Sequence, residues 1–443
     1  MKTRFILPVL FLISFSLGSF TSCKEPSSGP ETEAKDSLVL KFKESDLTSA
    51  ILFLHSSGVT LPASVSLYRN GDSVQTFLLH RADTSLKDSL LSPSTSYNWQ
   101  AKLRKTASSF LTSNTVTART IDTTSHTFTW KLDTLGAAGS VLFDVAIVND
   151  TCVWVVGDIK SQPYSPVDRY NAAMWNGKVW KKFRIKFLNF SGTQSTQIIK
   201  SVWSDTKAKL IFVSDIASVV ISNISFTSIY LNTTVTAVKG IPNKIWGLSS
   251  GNFYFVGGDG SITHYNGSTF TLMESGTTVN LQDVWGTSDN EVWACGGSIF
   301  NNSGSVILKF SNGKVQKVWD YATSVFPDPR RHTLISSLWY APNSGTWWEM
   351  GLNNEVYLEV NNTVTAWSTP IEWAPSRLRG SGDNSIFICA PSGRLCHFNG
   401  LTWKAYPELY RDNRDFYSLD VKPNRLVVVG KESDGKALVL IGN

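Results

Sequence analysis

The chain has 443 residues, 42% of them hydrophobic and 17% charged, with a formal charge of +6. That length suits two domains. The charge, mild once Lys2 and Arg4 of a leader are discounted, and the shortness of the basic groups Lys178 to Lys182 and Arg330-Arg331, exclude a phosphate-tracking face and hence nucleic acid as a partner.

Residues 1–22 read as an export leader, with Lys2 and Arg4 ahead of an apolar run from Phe5 to Phe20 and then Thr21-Ser22-Cys23. The run is shorter than a typical membrane-spanning helix. Small residues ahead of a cysteine resemble a bacterial lipoprotein signal, although Phe20 stands where that signal usually has leucine. The resemblance implies that Cys23 becomes the lipidated first residue of the mature chain, anchored in the membrane of a bacterial cell envelope, outer-membrane or surface-facing. An ordinary secretory signal with Cys23 merely nearby is the alternative. Residues 23–36, rich in Pro, Ser, Gly and Glu, read as a flexible tether.

Over residues 37–122 short apolar-alternating runs predict about seven strands. Leu91 to Tyr97, followed by the alternating Trp99, Ala101 and Leu103, resembles the tyrosine corner of fibronectin type III domains. The hairpin at Asn70-Gly71 fits that family, and the tryptophan of its second strand is missing here, leaving Ile51 to Leu54 to fill the core. The resemblance implies a β-sandwich acting as a spacer or adhesive unit.

Residues 126–443 carry a repeat. Leu281 to Gly296 reads as a short strand, a polar turn and a second strand ending at glycine, and Ile245 to Gly267 and Leu378 to Gly400 repeat the pattern. The turn after the third strand recurs at Asn176, Asn223, Asn266, Asn312, Asn361 and Asn399, several of them followed by glycine, as two-residue hairpin loops require. A period of roughly 40–50 residues with four strands per unit predicts a β-propeller. Six turns define six blades. Three further strands after Phe416 lack a fourth, which the alternating segment 127–132 supplies from upstream. The expected fold is thus all-β, a fibronectin type III-like sandwich followed by a propeller of seven blades, with six or eight as the alternatives. The Val-Trp-Gly-Thr-Ser element resembles the propeller repeats of exported proteins of Bacteroidetes-type bacteria, whose chemistry is mostly unassigned.

Tryptophans at repeat-equivalent places (Trp203, Trp246, Trp285 and Trp339 on first strands, Trp154 and Trp293 on second) suit packing between blades. Trp347, Trp348 and Trp373 lie off that register and are the ligand-contact candidates. Cys389 and Cys396 flank the turn Pro391 to Arg394 and form a possible disulfide, with two buried thiols as the alternative. His264 and His397 share one repeat position, which suits a structural role. Asp289-Asn290 and Asp383-Asn384 read as turn formers rather than calcium ligands. No CxxC, HExxH, GxSxG or GxxxxGK[ST] occurs, and sialidase Asp boxes are missing. No catalytic residue, metal or cofactor is therefore expected. The expected function is non-catalytic recognition of a protein or glycan by a monomer. The long inserts Lys160 to Asn171 and Tyr321 to His332 are the first places to look. A propeller-fold glycosidase, lyase or transferase and a structural surface scaffold are the alternatives.

Overall fold

The computed structural model describes residues 35–443 except 166, 206, 208, 299–303, 312, 326, 333, 361 and 373, with residues 298, 331 and 332 described by their backbone alone. The leader, Cys23, most of the tether and Trp373 therefore lie outside the described residues.

Alternation places every second side chain of an extended segment on one face. In the N-terminal unit, Leu38, Leu40, Leu52 and Leu54 face inward from a sheet of Ser37–Ser45, Ser49–Ser57 and Asp83–Ser89. Val65, Leu67, Trp99, Ala101 and Leu103 face them from a second sheet built on Ala63–Arg69 and Ser96–Arg104. The result is a two-sheet sandwich. Trp99 Nε1 donates to the buried Asp88 carboxylate at 2.7 Å, which Arg69 also grips at 3.1 Å. The Tyr97 hydroxyl accepts the Ser92 N–H at 2.8 Å, tying the strand to the segment that leads into it.

Beyond it the chain is a β-propeller. Among the described residues seven four-stranded antiparallel sheets, numbered here as blades 1 to 7, follow one another. Their first strands are Val141–Asn149, Ile199–Ser204, Pro242–Ser249, Leu281–Ser288, Ile335–Ala341, Arg377–Gly382 and Asp415–Lys422. They stand around one axis, each against the next and the last against the first. The seventh sheet consists of Asp415–Lys422, Arg425–Lys431, Ala437–Gly442 and the upstream strand Trp130–Leu135, paired from Ala437 with Leu135 to Gly442 with Trp130. This closing strand is shifted along the chain from the alternating stretch 127–132. Phe128 leaves the ladder to pack edge-on against Phe387 and Tyr406, and Thr129 still exchanges backbone bonds with Asn443.

The Trp-Gly pair of the repeat has a steric cause. The Trp246 ring of blade 3 lies where a Cβ on Gly286 of blade 4 would stand, 2.6 Å from it, and Trp339 stands 2.7 Å from the same place on Gly380 of blade 6. The glycine that ends a second strand answers another crowding. A Cβ on Gly296 would stand 2.1 Å from the Asn280 carbonyl, where the first strand bulges between Leu281 and Asp283.

The structure rules against the possible disulfide and has the two buried thiols instead. Register pairs Cys389 with Leu395 and Ile388 with Cys396, an offset of one residue that sends the two thiols to opposite faces of blade 6. Cys389 packs with Phe416 toward blade 7 and Cys396 with Trp348 toward blade 5, and both are free.

The linker between the two units lies on blade 6. Asn384 Nδ2 donates to the Asp122 carbonyl at 2.7 Å, and the Tyr406 hydroxyl donates to the His126 carbonyl at 3.1 Å. His126 and His397 meet Nδ1 to Nδ1 at 3.0 Å, so one ring donates and the other accepts, and the accepting ring must be neutral. Burial first, and His126 second, pull the His397 pKa down to about 3, and burial followed by Lys404 lowers that of His126. Both folded values lie below the 6.5 of a free imidazole. Their contribution to stability is therefore complete above that pH and is lost as pH falls toward the folded values. Thermal unfolding followed between pH 7 and pH 4 is expected to show a steeper fall for the wild type than for His397→Phe; parallel profiles would contradict the neutral pair.

Candidate functional site: the propeller axis and its mouths

Each first strand sends side chains toward the axis in layers, which the repeat register defines. Two residues ahead of the tryptophan position stand Asp144, Ser201, Lys244, Asp283, Ser337, Arg377 and Ser418, one from each blade in order. All seven are buried, and they close the channel with ion pairs and hydroxyls.

The pattern runs twice. Asp144 accepts the Ser201 hydroxyl and, at 3.1 Å, the Val202 N–H, while Lys244 Nζ stands 2.6 Å from both of its oxygens. Three blades on, Asp283 accepts the Ser337 hydroxyl and, at 3.2 Å, the Leu338 N–H. The Arg379 guanidinium grips both Asp283 oxygens at 2.7 and 2.8 Å, and Arg377 reaches one at 2.7 Å. The Ser201 and Ser337 oxygens also accept backbone N–H groups from the next blade, those of Ile245 and Leu378. Ser418 of blade 7 donates to Asp144 at 2.8 Å and joins the end of the ring to its start.

Burial alone raises the pKa of a carboxyl, but the cations prevail here. Burial acts against the Asp283 charge, and Arg377 and Arg379 overcome it and hold the carboxyl far below the usual range. For Asp144, burial is likewise overcome by Lys244 and Arg377, and its pKa falls. Arg379 occupies the place of the repeat tryptophan and lays its guanidinium 4.9 Å over the Trp285 ring.

One residue closer to where these strands begin stand Phe143, Lys200, Asn243, Gln282, Ser336, Ser376 and Tyr417. They form the mouth of a cavity of about 610 Å³, together with Asn280 and Arg377. Phe143 and Tyr417 stack with centroids 6.5 Å apart, and Lys200 Nζ stands 4.2 Å over the Phe143 ring. Gln282 donates to the Gly297 carbonyl and Asn243 to the Leu281 carbonyl, each at 2.8 Å, which fixes both amides at the rim. The opposite mouth is smaller, about 320 Å³, lined by Trp285, Trp339, Tyr340, Arg379 and Asp420 among others.

Neither described tryptophan candidate lies at a mouth. Trp347 is 5% exposed, with its ring 4.8 Å from that of Trp293, and Trp348 is 3% exposed against Phe398. Both sit on a central strand, Thr346–Gly351, whose two faces are covered by neighbouring blades, so they are packing residues. His264 and His397 stack 4.3 Å from Tyr254 and Phe387, their cross-strand partners. The insert Tyr321 to His332 is pinned inward. Arg330 pairs with Asp328 at 2.8 Å and with Glu349 and Glu359 at 3.0 Å. Burial pushes the Glu349 carboxyl up to about 8 against the pull of Arg330, with Glu359 adding to the rise. The insert Lys160 to Asn171, by contrast, sends Tyr164 outward beside the large mouth. The mouth residues were legible in one respect only, since each lies three places ahead of a repeat tryptophan or its equivalent. Among the described residues no His/Cys/Asp/Glu group could hold a metal ion, and no helix is long and apolar enough to cross a membrane.

No protein-family model matches the chain, and a comparison with curated proteins finds no match. Solved structures share the fold. One described as YCF48 bound to D1 peptide superposes over 70% of this chain and 96% of its own, with a TM-score of 0.53 and 14% identity. The crystal structure of the WD40 β-propeller domain of Doa1 matches over 72% and 97%, with a TM-score of 0.50 and 15% identity.

Breaking a buried pair leaves an uncompensated charge, which costs about 3–5 kcal/mol. Asp283→Ala is expected to destabilise the propeller by about that much in denaturant unfolding. Adding Arg377→Leu and Arg379→Leu should recover part of the loss, and a triple variant less stable than the single one would refute the charge argument.

Proposed function

We propose that the protein is a lipoprotein of the bacterial cell envelope whose propeller recognises a protein or glycan without acting on it chemically. The leader and Cys23 supply the anchor, and the sandwich, with its Tyr97–Ser92 bond, serves as a fibronectin type III-like spacer that holds a monomeric propeller away from the membrane. The ligand enters the larger mouth.

One observation carries this reading. The described lining of that mouth offers amides, hydroxyls, two aromatic rings and two cations, and includes no carboxylate. Enzymes of the glycosidase type need two carboxylates on one substrate. The buried acids at the axis, Asp144 and Asp283, are consumed by their cations and lie beneath the mouth. A preformed concave pocket with a few fixed polar groups suits binding. The solved propeller described as holding a peptide supports a ligand of protein type on this fold.

Filling the cavity tests the placement. Affinity capture from bacterial envelope extract is expected to yield a specific partner with the wild type and to lose it with Asn243→Trp/Gln282→Trp. Equal capture by both would move the site elsewhere on the propeller. The anchor is tested separately: Cys23→Ser should abolish incorporation of labelled fatty acid and move the protein from the membrane to the soluble fraction, and unchanged labelling would reject lipidation at Cys23.

A further inference from the structure

A second cavity of about 650 Å³ adjoins the axial one of about 610 Å³, and the two share Phe143 and Tyr417 as lining residues. It runs outward over the junction of blades 7 and 1, below the insert Lys160 to Asn171. Tyr164 of that insert lines it and is 74% exposed. The loop is built to hold this ring there. Tyr164 adopts a φ of 54°, a left-handed backbone that is costly for a tyrosine, and its N–H is fastened to the Ala138 carbonyl at 2.7 Å. The outer acids of this cavity are already partnered, Glu432 with Arg414 at 3.0 Å and Asp434 with Lys436 at 2.6 Å.

Taken together, the two cavities form one path lined successively by Tyr164, the stacked pair Phe143 and Tyr417, and then the amides of Asn243 and Gln282 beside Lys200. We propose that this path binds a linear oligosaccharide, one end in the axial cavity beside the Asn243 and Gln282 amides and the other stacked on the exposed Tyr164 ring, passing Phe143 and Tyr417 between them. The inference rests on the recognition reading above and names its ligand class. A pyranose presents an apolar C–H face that stacks on an aromatic ring and equatorial hydroxyls that pair with planar amides. This path offers both kinds of partner, rings at its outer part and amides at its axial end. A peptide would instead call for a free strand edge or a deep apolar pocket for an anchor side chain. The outer walls here are Gly139, Ser140, Tyr164 and the loop segment 432–435, which offer neither. Lys200 makes no salt bridge among the described residues, with Asp215 the acid whose field it feels, and it is free to meet a sugar carboxylate or hydroxyl at the axial end.

The test is calorimetric titration of the full chain with xylohexaose, cellohexaose and hexagalacturonate, the matching disaccharides, and a hexapeptide library. At least one hexasaccharide is expected to bind, with its disaccharide at least tenfold weaker. Tyr164→Asn, which keeps a residue tolerant of the left-handed backbone, should weaken the hexasaccharide about tenfold and leave the disaccharide unchanged. Lys200→Met tells the sources apart, since it should weaken hexagalacturonate and spare the neutral chains. Equal binding of hexa- and disaccharide, indifference to Tyr164→Asn, or silence across the sugars overturns the proposal. Hexapeptides that bind the wild type and not Asn243→Trp/Gln282→Trp would overturn it while leaving the recognition reading intact. Silence in both this titration and the envelope capture would remove that reading as well.

Discussion

Seven sheets can surround one axis only if the polar groups that meet there satisfy one another. Unpaired charge in that setting costs several kcal/mol. The Asp144–Lys244 and Asp283–Arg379 pairs meet the requirement, each carboxylate also taking a hydroxyl and a backbone N–H from the following blade. Each acid thereby spans three consecutive blades. Ser418 links the last blade back to Asp144, so the axis is held by two polar arcs, one over blades 7, 1, 2 and 3 and one over blades 4 to 6, as well as by strand pairing. The layer lies between the larger cavity, which Arg377 lines, and the smaller one, which Arg379 lines.

Around that layer the blades are held by apolar faces. The repeat tryptophan of one blade covers the glycine of the next, and a side chain on that glycine would collide with the ring. This contact accounts for the adjacency of tryptophan and glycine in the repeat. Where Arg379 replaces the tryptophan in blade 6, its guanidinium stacks on Trp285 and extends to Asp283, so one residue does the packing of its position and the pairing of the layer beneath. Closure by Trp130–Leu135 pairs the open edge of the seventh sheet and brings the linker across blade 6, where the His126–His397 contact fixes the route between the two units.

The candidate site lies where this packing is relaxed. The first-strand bulges turn Phe143, Asn243, Gln282 and Tyr417 into the mouth, and the insert carrying Tyr164 extends that mouth outward. The other long insert is clamped by Arg330 onto Glu349 and Glu359 and is part of the wall of blade 5. Two inserts that look equivalent as interruptions of a repeat thus differ because one carries an arginine that finds buried acids and the other carries a tyrosine that does not.

The sequence by itself determined the all-β class and the propeller, because period-2 alternation, Asn-Gly turns and a 40–50-residue repeat are local or nearest-neighbour properties. It also exposed the unpaired last unit and the upstream segment able to complete it. What it could not determine was which face of a central strand stays open. Trp347 and Trp348 looked free because they leave the repeat register, yet neighbouring blades cover both faces of their strand. Cys389 and Cys396 flank one turn, which left pairing and two buried thiols both open, and a one-residue offset in register sent them apart. The paired axial acids and cations lie roughly 100 residues apart in the chain and meet only when the ring closes. Only tertiary structure decides such meetings, because separation in sequence carries no information about which side chains seven converging strands bring to one axis.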